Sequence, residues 1–554
     1  MVNSDKPAAT GKRNLTTALA AYTNRHALAM LVLGFFSGLP LVLIFDTLSA
    51  WLRESGVTLQ IITFFSLVSL LYAFKFVWAP LVDRTKIPLL HGILGHRRSW
   101  MVFCQGLMVL GFLLLASSDP SQGLGLVAFS AFFVGLSSAT QDIVIDAWRI
   151  EVTEKSRQGA MAAVYQWGYY TSLIVAGSFP YIIAEFFSWH ISYLVMAAIM
   201  ASGIGAVLRA PREMQHQLRA IPTEDMRAAP FREGLEWLAR LAVLILGILS
   251  AGIGLSGTAG GFSILEFALS GESPLMIAAF RIATIVLGLA LFVFAAKPFG
   301  RRRTRPGVYL SAAFGEPLKD FFHRYRGLAA LMLALISFYR VSQLVLSVLN
   351  PFYLDLGFTL TDLAQVRSAY AVAGSMLGLF LGGLAVARFG LMPALLIGAL
   401  AGPVSNAGLF WLTMHGPYMP GLFLVVGINS VSAGFAGTCL IAYMSSLTSL
   451  GFTAMQYALF SSLFRLPGGI LASQSGQIVE TAAHAADGGW LSPLTELFGN
   501  LPPRSFADAV ASTGVQPTAL AAGYAAFFTY AALLGFIAIG LSLLVARHER
   551  KPPE

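Results

Sequence analysis

Two aspartates, Asp142 and Asp146, lie four residues apart near the end of an apolar run that extends from Leu124 to Ala147. In a helix this spacing places both carboxylates on one face, with Arg149 about one turn further along. A carboxylate near the middle of a bilayer costs roughly 2.5–3.5 kcal/mol even on a lenient insertion scale, so such residues usually serve a proton relay, a solute pathway or a buried charge pair. The pattern predicts a membrane protein that moves protons or a solute.

The composition agrees with a membrane location. The 554 residues are 56% hydrophobic and 11% charged, whereas about a quarter of the residues of an ordinary soluble protein are charged. The formal net charge of +9 would suit a nucleic-acid-binding protein, but only Arg53 and Arg504 fall in loops on the outer side when the N-terminus is placed inside. This bias follows the positive-inside rule and predicts that both termini are cytoplasmic. Nucleic-acid binding is therefore not expected.

The order of the apolar runs predicts an all-α polytopic membrane protein with about 14 spans, since a span needs about 20 apolar residues. Six runs precede, and six follow, a basic middle segment that holds two more. This is the plan of a major facilitator fold, in which two six-helix bundles enclose a cavity near the membrane midplane. The predicted segments are a cytoplasmic tail (1–26), an N-terminal six-helix bundle (27–209), a basic linker with two extra transmembrane helices (210–327), a C-terminal six-helix bundle (328–546) and a cytoplasmic tail (547–554).

Charged residues within the apolar runs are segregated between the two halves. The first half holds Asp46, Lys75, Asp142 and Asp146, and the second half holds Arg340, Arg367 and Arg465. In one interpretation the three aspartates couple transport to protons, with Asp142 as the favoured carrier, while the cations bind an anionic solute. In the alternative interpretation these charges pair across the interface and stabilise one conformation.

Amide and aromatic side chains on the predicted helices form a second group of candidates. They are Gln141, Gln166, Trp167, Tyr170, Asn406 and Gln456. Amides match the hydroxyls of a sugar and aromatic faces stack on its ring, so the group as a whole predicts a sugar-binding cavity. Each residue taken alone is more often an interhelical hydrogen bond.

The sequence lacks the motifs of an enzyme. Its nine histidines are scattered without metal-binding spacing, and no phosphate-binding glycine loop with a following lysine occurs. Cys104 and Cys439 lie inside apolar runs and predict neither a disulfide nor a metal site. We therefore expect no enzymatic activity, no metal and no cofactor. The expected energy source is an ion gradient or the substrate's own gradient, and the expected state is a monomer in the lipid bilayer.

The loop after the second run resembles the Asp-Arg loop signature of major facilitators. It contains Asp83 and Arg84, followed by a basic stretch from His96 to Arg98. In that signature the acid caps the end of a neighbouring helix and braces the outward-facing state. The resemblance implies a gating role for Asp83 and Arg84, with Arg149 as the partner of Asp83.

Longer stretches closely resemble the AmpG muropeptide permeases. The most specific are FKFVWAPLVDR at 74–84 and ATQDIVIDAWR at 139–149, supported by GLPL at 38–41, SNAG at 405–408 and QYAL at 456–459. The resemblance implies proton-driven import of N-acetylglucosaminyl-anhydro-N-acetylmuramyl peptides across the bacterial inner membrane. Such permeases recycle cell-wall fragments and influence the induction of β-lactamase.

The same resemblance assigns roles to individual residues. It places Gln141, Asp142, Asp146 and Lys75 in the transport pathway. Two positions depart from the family pattern: Tyr170 stands where the family has an arginine, and Gln343 stands where it has an aspartate. These departures leave open a carrier for another organic anion, such as a CoA ester or a peptide, or a membrane sensor that does not transport. A lipid scramblase would instead show polar residues facing lipid along one groove.

Overall fold

The computed structural model describes residues 24–55, 68, 71–72, 74–121, 123–154, 157–213, 229–256, 274–296, 304–366, 370–472, 475–507 and 509–549. Within these ranges every regular element is a helix, and no strand occurs. This confirms the prediction of an all-α chain. The boundaries of the five predicted segments stay a prediction.

Eight α-helices form the first half of the described chain, and four follow in the middle. Those of the first half are α1 Arg25–Val42, α2 Leu48–Glu54, α3 Ala79–Arg84, α4 Leu90–Leu94, α5 His96–Ala116, α6 Gly125–Glu151, α7 Gln158–Phe186 and α8 Trp189–Arg209. Those of the middle are α9 Pro230–Ser256, α10 Pro274–Ala296, α11 Arg305–Leu310 and α12 Glu316–Arg324.

Ten α-helices form the second half of the described chain. They are α13 Ala329–Phe338, α14 Leu349–Asp355, α15 Leu360–Gln365, α16 Ala371–Phe389, α17 Leu391–His415, α18 Met419–Leu447, α19 Thr453–Ala472, α20 Ser475–Ala486, α21 Ala509–Thr513 and α22 Pro517–Glu549. Among the described residues of the whole chain, nine helical segments are long and apolar enough to cross a membrane. They confirm the multi-pass architecture, while the total of about 14 spans stays a prediction.

Each half has its own apolar core, and a third cluster joins the halves. Phe112 is buried in the first half and Phe352 in the second. In the third cluster Trp148 of α6 packs in one group with Met455 of α19. This cluster lies at one end of the bundle, close to Arg97 and other buried cations. We call this end of the bundle the basic end. The two halves are therefore held together by apolar packing at that end.

Helices α1 and α7 pack backbone to backbone at two glycines. A Cβ added at Gly168 of α7 would lie 1.9 Å from the carbonyl oxygen of Leu31, and one added at Gly34 of α1 would lie 2.1 Å from that of Tyr165. No side chain fits at such distances unless the helices separate. Small residues that allow close approach are a general device of helix packing in membranes. The contact fixes α1, which carries Ser37, against α7, which carries Tyr165.

Replacing Gly168 with alanine should lower the melting temperature of the purified protein in detergent, because the added methyl group meets the Leu31 carbonyl. Overpacking of this kind typically costs about 1–3 kcal/mol. Gly177→Ala on the same helix is the matched control, since a Cβ there meets nothing within 4 Å. Equal melting temperatures for the two variants would contradict the close packing of α1 on α7.

Two spans are broken at the positions of their cations. Lys75 begins the 3-10 turn Lys75–Val77 before α3, and Arg340 lies between α13 and the 3-10 segment Val341–Ser347. The uninterrupted apolar runs predict continuous helices at both places, so the breaks differ from the prediction. Pro80 lies in the first turn of α3, where a proline needs no hydrogen-bond donor, and this favours a new helix start. A 3-10 stretch within a span is a common site of hinge motion.

The two predicted extra helices, α9 and α10, pack against each other as a hairpin. Arg240 of α9 is buried and donates to the carbonyl of Ala295 near the end of α10 and to the carboxylate of Glu236. Thr304, just before α11, donates to the same carboxylate at 2.7 Å. These bonds fasten the hairpin to the start of α11.

Candidate functional site

A cavity of about 320 Å3 lies between the two halves. The first half contributes Ser37, Leu41, Tyr72, Lys75, Asp142, Asp146, Tyr165, Gln166 and Tyr169, and the second half contributes Arg340, Gly437, Leu440, Ile441, Met444, Tyr457, Ser461 and Phe464. Five predicted site residues therefore meet in one place: Lys75, Asp142, Asp146, Gln166 and Arg340. Both carboxylates come from the first half, and the guanidinium faces them from the second half.

Asp142 lies in the cavity wall at the end of a chain of hydroxyl groups. The hydroxyl of Ser37 donates to Oδ1 of Asp142. The same hydroxyl lies 2.6 Å from the phenolic oxygen of Tyr165, so the two hydroxyls are hydrogen-bonded to each other. Asp142 is half-buried, and it lines the cavity. The Asp142 carboxylate therefore accepts a hydrogen bond from a hydroxyl group and is reached from the cavity.

Asp146, one helical turn after Asp142, lies between two cations. Its Oδ2 is 3.7 Å from Nζ of Lys75, and its Oδ1 is 3.5 Å from Nη2 of Arg149. All three side chains are largely buried. Asp146 therefore links a cation of the broken second span to a cation of its own helix α6.

Arg340 faces the carboxylates from the second half. Its Nε donates to the side-chain oxygen of Gln343, and its guanidinium lies 5.6 Å from the ring centroid of Phe464. Gln343 is the position where the family pattern has an aspartate. An amide accepts the hydrogen bond as a carboxylate would, but it does not cancel the charge of the guanidinium. Gln343 therefore brings no negative charge to this wall of the cavity.

Three amides predicted to line the cavity lie outside it. Gln141 donates to a backbone carbonyl of α1 at 3.1 Å, Asn406 donates to one of the 3-10 segment 341–347 at 3.0 Å, and Gln456 donates to one of α12 at 2.9 Å. All three side chains are buried. An amide in an apolar interior needs a partner, and a backbone carbonyl on the next helix supplies it. The structure thus places these amides as links between helices.

Asp46 and Arg367 cannot be assigned to the cavity. Asp46 is exposed in the π-helical turn Leu43–Thr47 after α1, and it is not among the residues that line the cavity. Its backbone carbonyl accepts a hydrogen bond from the hydroxyl of Tyr181 at 3.2 Å. Arg367 lies outside the described residues, so its role in substrate binding stays a prediction.

The predicted aromatic contacts Trp167 and Tyr170 also lie beside the cavity rather than in its lining. Nε1 of Trp167 donates to the carbonyl of Met376 in α16 at 2.8 Å, and its ring stacks on Phe380. Trp167 therefore joins the two halves. Tyr170 packs edge-on against Tyr169, with ring centroids 6.4 Å apart.

Asp83 closes the basic end by joining the two halves. Its carboxylate accepts hydrogen bonds from the backbone N–H groups of Ala454 and Met455 at the start of α19, at 3.3 and 3.0 Å. A carboxylate at a helix N-terminus satisfies unpaired donors and balances the helix dipole. This is the capping contact that the loop motif implies for Asp83. The predicted partner, Arg149, is corrected: the guanidinium that reaches Asp83, at 2.7 Å, belongs to Arg97.

Arg97 lies at the centre of this closure. Its side chain is 0% exposed, and it binds Glu151 at 2.6 Å in addition to Asp83. Two acids in α3 and α6 therefore share one guanidinium of α5. The predicted gating residue Arg84 lies beside this group, where it donates to the carbonyl of Ala312 and to Glu316 at 3.0 and 3.1 Å.

The short helix α12, which binds Arg84 through Glu316, also contacts the second half. Asp320 accepts hydrogen bonds from Ser449 and Gln456 and pairs with Arg324 at 2.9 Å. Partial burial alone would raise the pKa of Asp320, but these hydrogen bonds and the Arg324 guanidinium lower it below its ordinary value. Asp320 is therefore ionised at neutral pH. Residues 305–324 therefore bridge the two halves. They bind Arg84 of the first half, and Asp320 binds α19 of the second half through Gln456.

Arg149 connects the closed end to the cavity. Its Nη1 donates to the hydroxyl of Ser445 in α18 at 3.0 Å, and its guanidinium lies 5.2 Å from the ring centroid of Tyr457 in α19. The same side chain pairs with Asp146 in the cavity wall. One residue of the first half thus contacts both the cavity carboxylate and two helices of the second half.

Sequence reasoning did not assign roles to Ser37, Tyr165, Arg97 or Glu151. A role for Glu151 could have been predicted, because a carboxylate at the end of a buried helix requires a cation. Arg97 is the central residue of the basic stretch from His96 to Arg98. Ser37 and Tyr165 carry no such signal. Their hydroxyl groups lie on different helices, and only the packing of α1 on α7 brings them to Asp142.

Replacing Asp83 with asparagine should loosen the basic end, because a neutral amide caps the start of α19 less strongly and binds Arg97 less strongly, while Glu151 still balances the charge of Arg97. A hydrogen bond to a charged group typically contributes about 1.5–3 kcal/mol. We expect a lower melting temperature. We also expect faster maleimide labelling, from the basic side, of a cysteine placed at Ser461 in the cavity wall.

The control for this experiment is Glu154→Gln, since Glu154 pairs with Arg157 on the exposed surface and such pairs contribute only about 0–1 kcal/mol. Cys104 and Cys439 are buried, and replacing both with alanine removes background labelling. The gating assignment is wrong if Asp83→Asn labels at the same rate as Glu154→Gln.

The sequence profile of the Major Facilitator Superfamily matches residues 27–315, just over half of the chain. The chain therefore belongs to the Major Facilitator Superfamily. A solved structure of this fold agrees with the assignment: that of the proton:xylose symporter XylE bound to 6-bromo-6-deoxy-D-glucose superposes with a TM-score of 0.50. The alignment covers 95% of this chain and 97% of that chain at 10% sequence identity, so it shows the fold alone.

Relatives with higher identity carry the AmpG name or its activity. The anhydromuropeptide permease of Escherichia coli (strain K12) is 27% identical over 536 residues, which cover 95% of this chain and 90% of the permease. The putative transporter AmpG 4 of Rickettsia felis is 26% identical over 451 residues, which cover 81% of this chain and 88% of the relative. These matches confirm the resemblance to the AmpG permeases. The protein is a multi-pass membrane transporter and not an enzyme.

Proposed function

We propose that this protein is a proton-coupled secondary transporter of the bacterial inner membrane. It imports anhydromuropeptides, the N-acetylglucosaminyl-anhydro-N-acetylmuramyl peptides, from periplasm to cytoplasm for cell-wall recycling. The observation that carries the proposal is the cavity between the halves, where Asp142 and Asp146 face Arg340. The E. coli relative named anhydromuropeptide permease supports the choice of substrate.

The proton carrier in this proposal is Asp142. Asp146 contacts both Lys75 and Arg149, so neutralising it would weaken two buried ion pairs. Asp142 is instead bound by the neutral hydroxyl of Ser37, and it lines the cavity. This position gives a proton a path from the cavity to the carboxylate.

Charge balance supports an anionic substrate. The cavity lining holds two carboxylates, Asp142 and Asp146, and two cations, Lys75 and Arg340. A substrate carboxylate that enters with one proton leaves this balance unchanged, and a neutral site is the least costly to move through a membrane. Arg340 binds the carboxylate, because it lies in the cavity wall and its neighbour Gln343 brings no competing negative charge.

The remaining lining suits the sugar part of the substrate. Tyr72, Tyr169 and Tyr457 supply aromatic faces, and Gln166 supplies an amide. The present volume, about 320 Å3, lies at the low end of the roughly 300–1,000 Å3 of ligand pockets. In this conformation the cavity accepts part of a disaccharide peptide, and the whole substrate requires a wider opening.

The closed basic end supports transport by alternating access. By the positive-inside rule the basic end is cytoplasmic. Asp83, Arg97 and Arg149 then close the cytoplasmic side, and substrate enters from the periplasm. Breaking these contacts and rocking one half against the other opens the cavity to the cytoplasm. The breaks at Lys75 and Arg340 provide hinges within the cavity wall.

Replacing Asp142 with asparagine should abolish accumulation of anhydromuropeptide driven by a pH gradient, because the amide cannot carry a proton. Exchange of labelled for unlabelled substrate should persist, since it needs no net proton movement. Accumulation and exchange are both measured in proteoliposomes, with and without an inward proton gradient. Asp487→Asn, which changes an exposed aspartate, is the matched control.

Each outcome of this experiment has a defined meaning. Wild-type accumulation by Asp142→Asn would refute Asp142 as the proton carrier. Binding without accumulation by the wild-type protein would indicate a sensor. Uptake that a CoA ester or a sugar-free peptide inhibits better than unlabelled muropeptide would indicate a carrier for another organic anion.

Replacing Gln343 with aspartate should weaken substrate binding, because a carboxylate beside Arg340 would compete with that of the substrate. A charge-assisted hydrogen bond contributes about 1.5–3 kcal/mol, which corresponds to roughly a 10- to 100-fold rise in KM. Gln343→Asn is the control, since it keeps a neutral amide. In Gln343→Asp, the KM for an amidated muropeptide should rise less than the KM for the free acid. Equal KM values for the two variants would refute Arg340 as the carboxylate anchor.

A further inference from the structure

A second cavity lies on the outer surface of the first half, between α1 and α8. Its volume is about 550 Å3. Along α1 it extends from Arg25 to Phe36, which at 1.5 Å per residue is roughly 16 Å. That length is close to half of the roughly 30 Å hydrocarbon core of a bilayer. The opposite wall is formed by Ser202 and Ala206 of α8, whose small side chains leave the groove open.

Two guanidinium groups lie at the basic end of this groove. Arg25 donates to the backbone carbonyl of Arg209 at 3.2 Å, and Arg209 donates to that of Gly205 at 3.3 Å. These bonds hold both side chains at the end of α8 without neutralising their charge. Both arginines are exposed, and a guanidinium has five N–H donors, so each has donors for an anion. Among the described residues that line the groove, none is acidic.

We propose that this groove binds one anionic phospholipid. An acyl chain lies between α1 and α8, and the phosphate accepts hydrogen bonds from Arg25 and Arg209. A groove with apolar walls on the membrane surface of a transporter is filled by hydrocarbon, because water would find almost no partners there. Guanidinium groups bind phosphate oxygens in bidentate geometry and favour anionic headgroups over zwitterionic ones.

A lipid in the groove would influence α6, the helix that carries Asp142 and Asp146 of the cavity wall. Phe36 closes the inner end of the groove, and its backbone carbonyl accepts the hydrogen bond of Gln141, the neighbour of Asp142. The next residue, Ser37, binds Asp142 directly. A lipid in the groove therefore stabilises α1 against α8 and supports the position of Ser37.

The test uses the purified full-length protein in a nonionic detergent. Phosphatidylglycerol and phosphatidylcholine with identical acyl chains are titrated, and bound lipid is measured by native mass spectrometry alongside the melting temperature. We expect one phosphatidylglycerol to bind and to raise the melting temperature, with weaker binding of phosphatidylcholine. Each arginine near a membrane surface strengthens anionic binding about fivefold. The double variant Arg25→Gln/Arg209→Gln should therefore lose most of this preference.

Three further variants distinguish lipid binding in this groove from non-specific effects of substitution. Arg388→Gln is the matched control, because Arg388 is an exposed arginine in the last turn of α16. The double variant Arg25→Lys/Arg209→Lys keeps the charge and should keep the preference for phosphatidylglycerol. Ala206→Phe fills the groove while both arginines remain, and it should reduce binding of both lipids.

Several results would overturn the proposal. One is equal retention of the two lipids by the wild-type protein. Another is an equal loss in Arg388→Gln and in the double glutamine variant. A third is protection by inorganic phosphate or glycerol phosphate equal to that by phosphatidylglycerol, which would mean that the arginines bind a free anion and the groove plays no part.

Discussion

An ionised side chain inside a membrane protein must be balanced by an opposite charge or by hydrogen-bond donors, and this constraint governs both charged clusters of the bundle. In the cavity, Asp146 lies 3.7 Å from Lys75. At the basic end, Asp83 and Glu151 share the guanidinium of Arg97. Because an unpaired charge would be costly, each of these contacts constrains how the helices that carry it can pack.

The two clusters differ in their access to water, and this difference separates their roles. Arg97 is 0% exposed and lies between two acids, while Asp83 also caps α19 of the second half. Such a closed group can only hold or release the two halves. Asp142 is half-buried in the wall of the cavity and is bound by a neutral hydroxyl. Arg149 touches both regions, since it pairs with Asp146 and contacts Ser445 across the interface. A change of charge in the cavity can therefore reach the contacts that close the basic end.

Much of the fold and part of the site could be predicted because the signals are local. Apolar runs of spanning length identify membrane helices whatever they pack against. The four-residue spacing of Asp142 and Asp146 places both on one helix face. The resemblance of the loop at Asp83 to the Asp-Arg loop signature implies a capping role without identifying the cation that binds Asp83. The first two inferences depend on single helices, and the third depends on the matched loop motif.

The sequence by itself therefore determined the class of protein, the all-α architecture and the placement of Asp142 and Asp146 on one helix face. Only the tertiary structure decided that Gln166 faces the cavity while Gln141 binds α1, because the facing of a side chain depends on how its helix is rotated against its neighbours. It also decided that Arg97, and not Arg149, reaches Asp83. Asp83 and its capping contact at Met455 are 372 residues apart, and no local pattern encodes a contact over that separation.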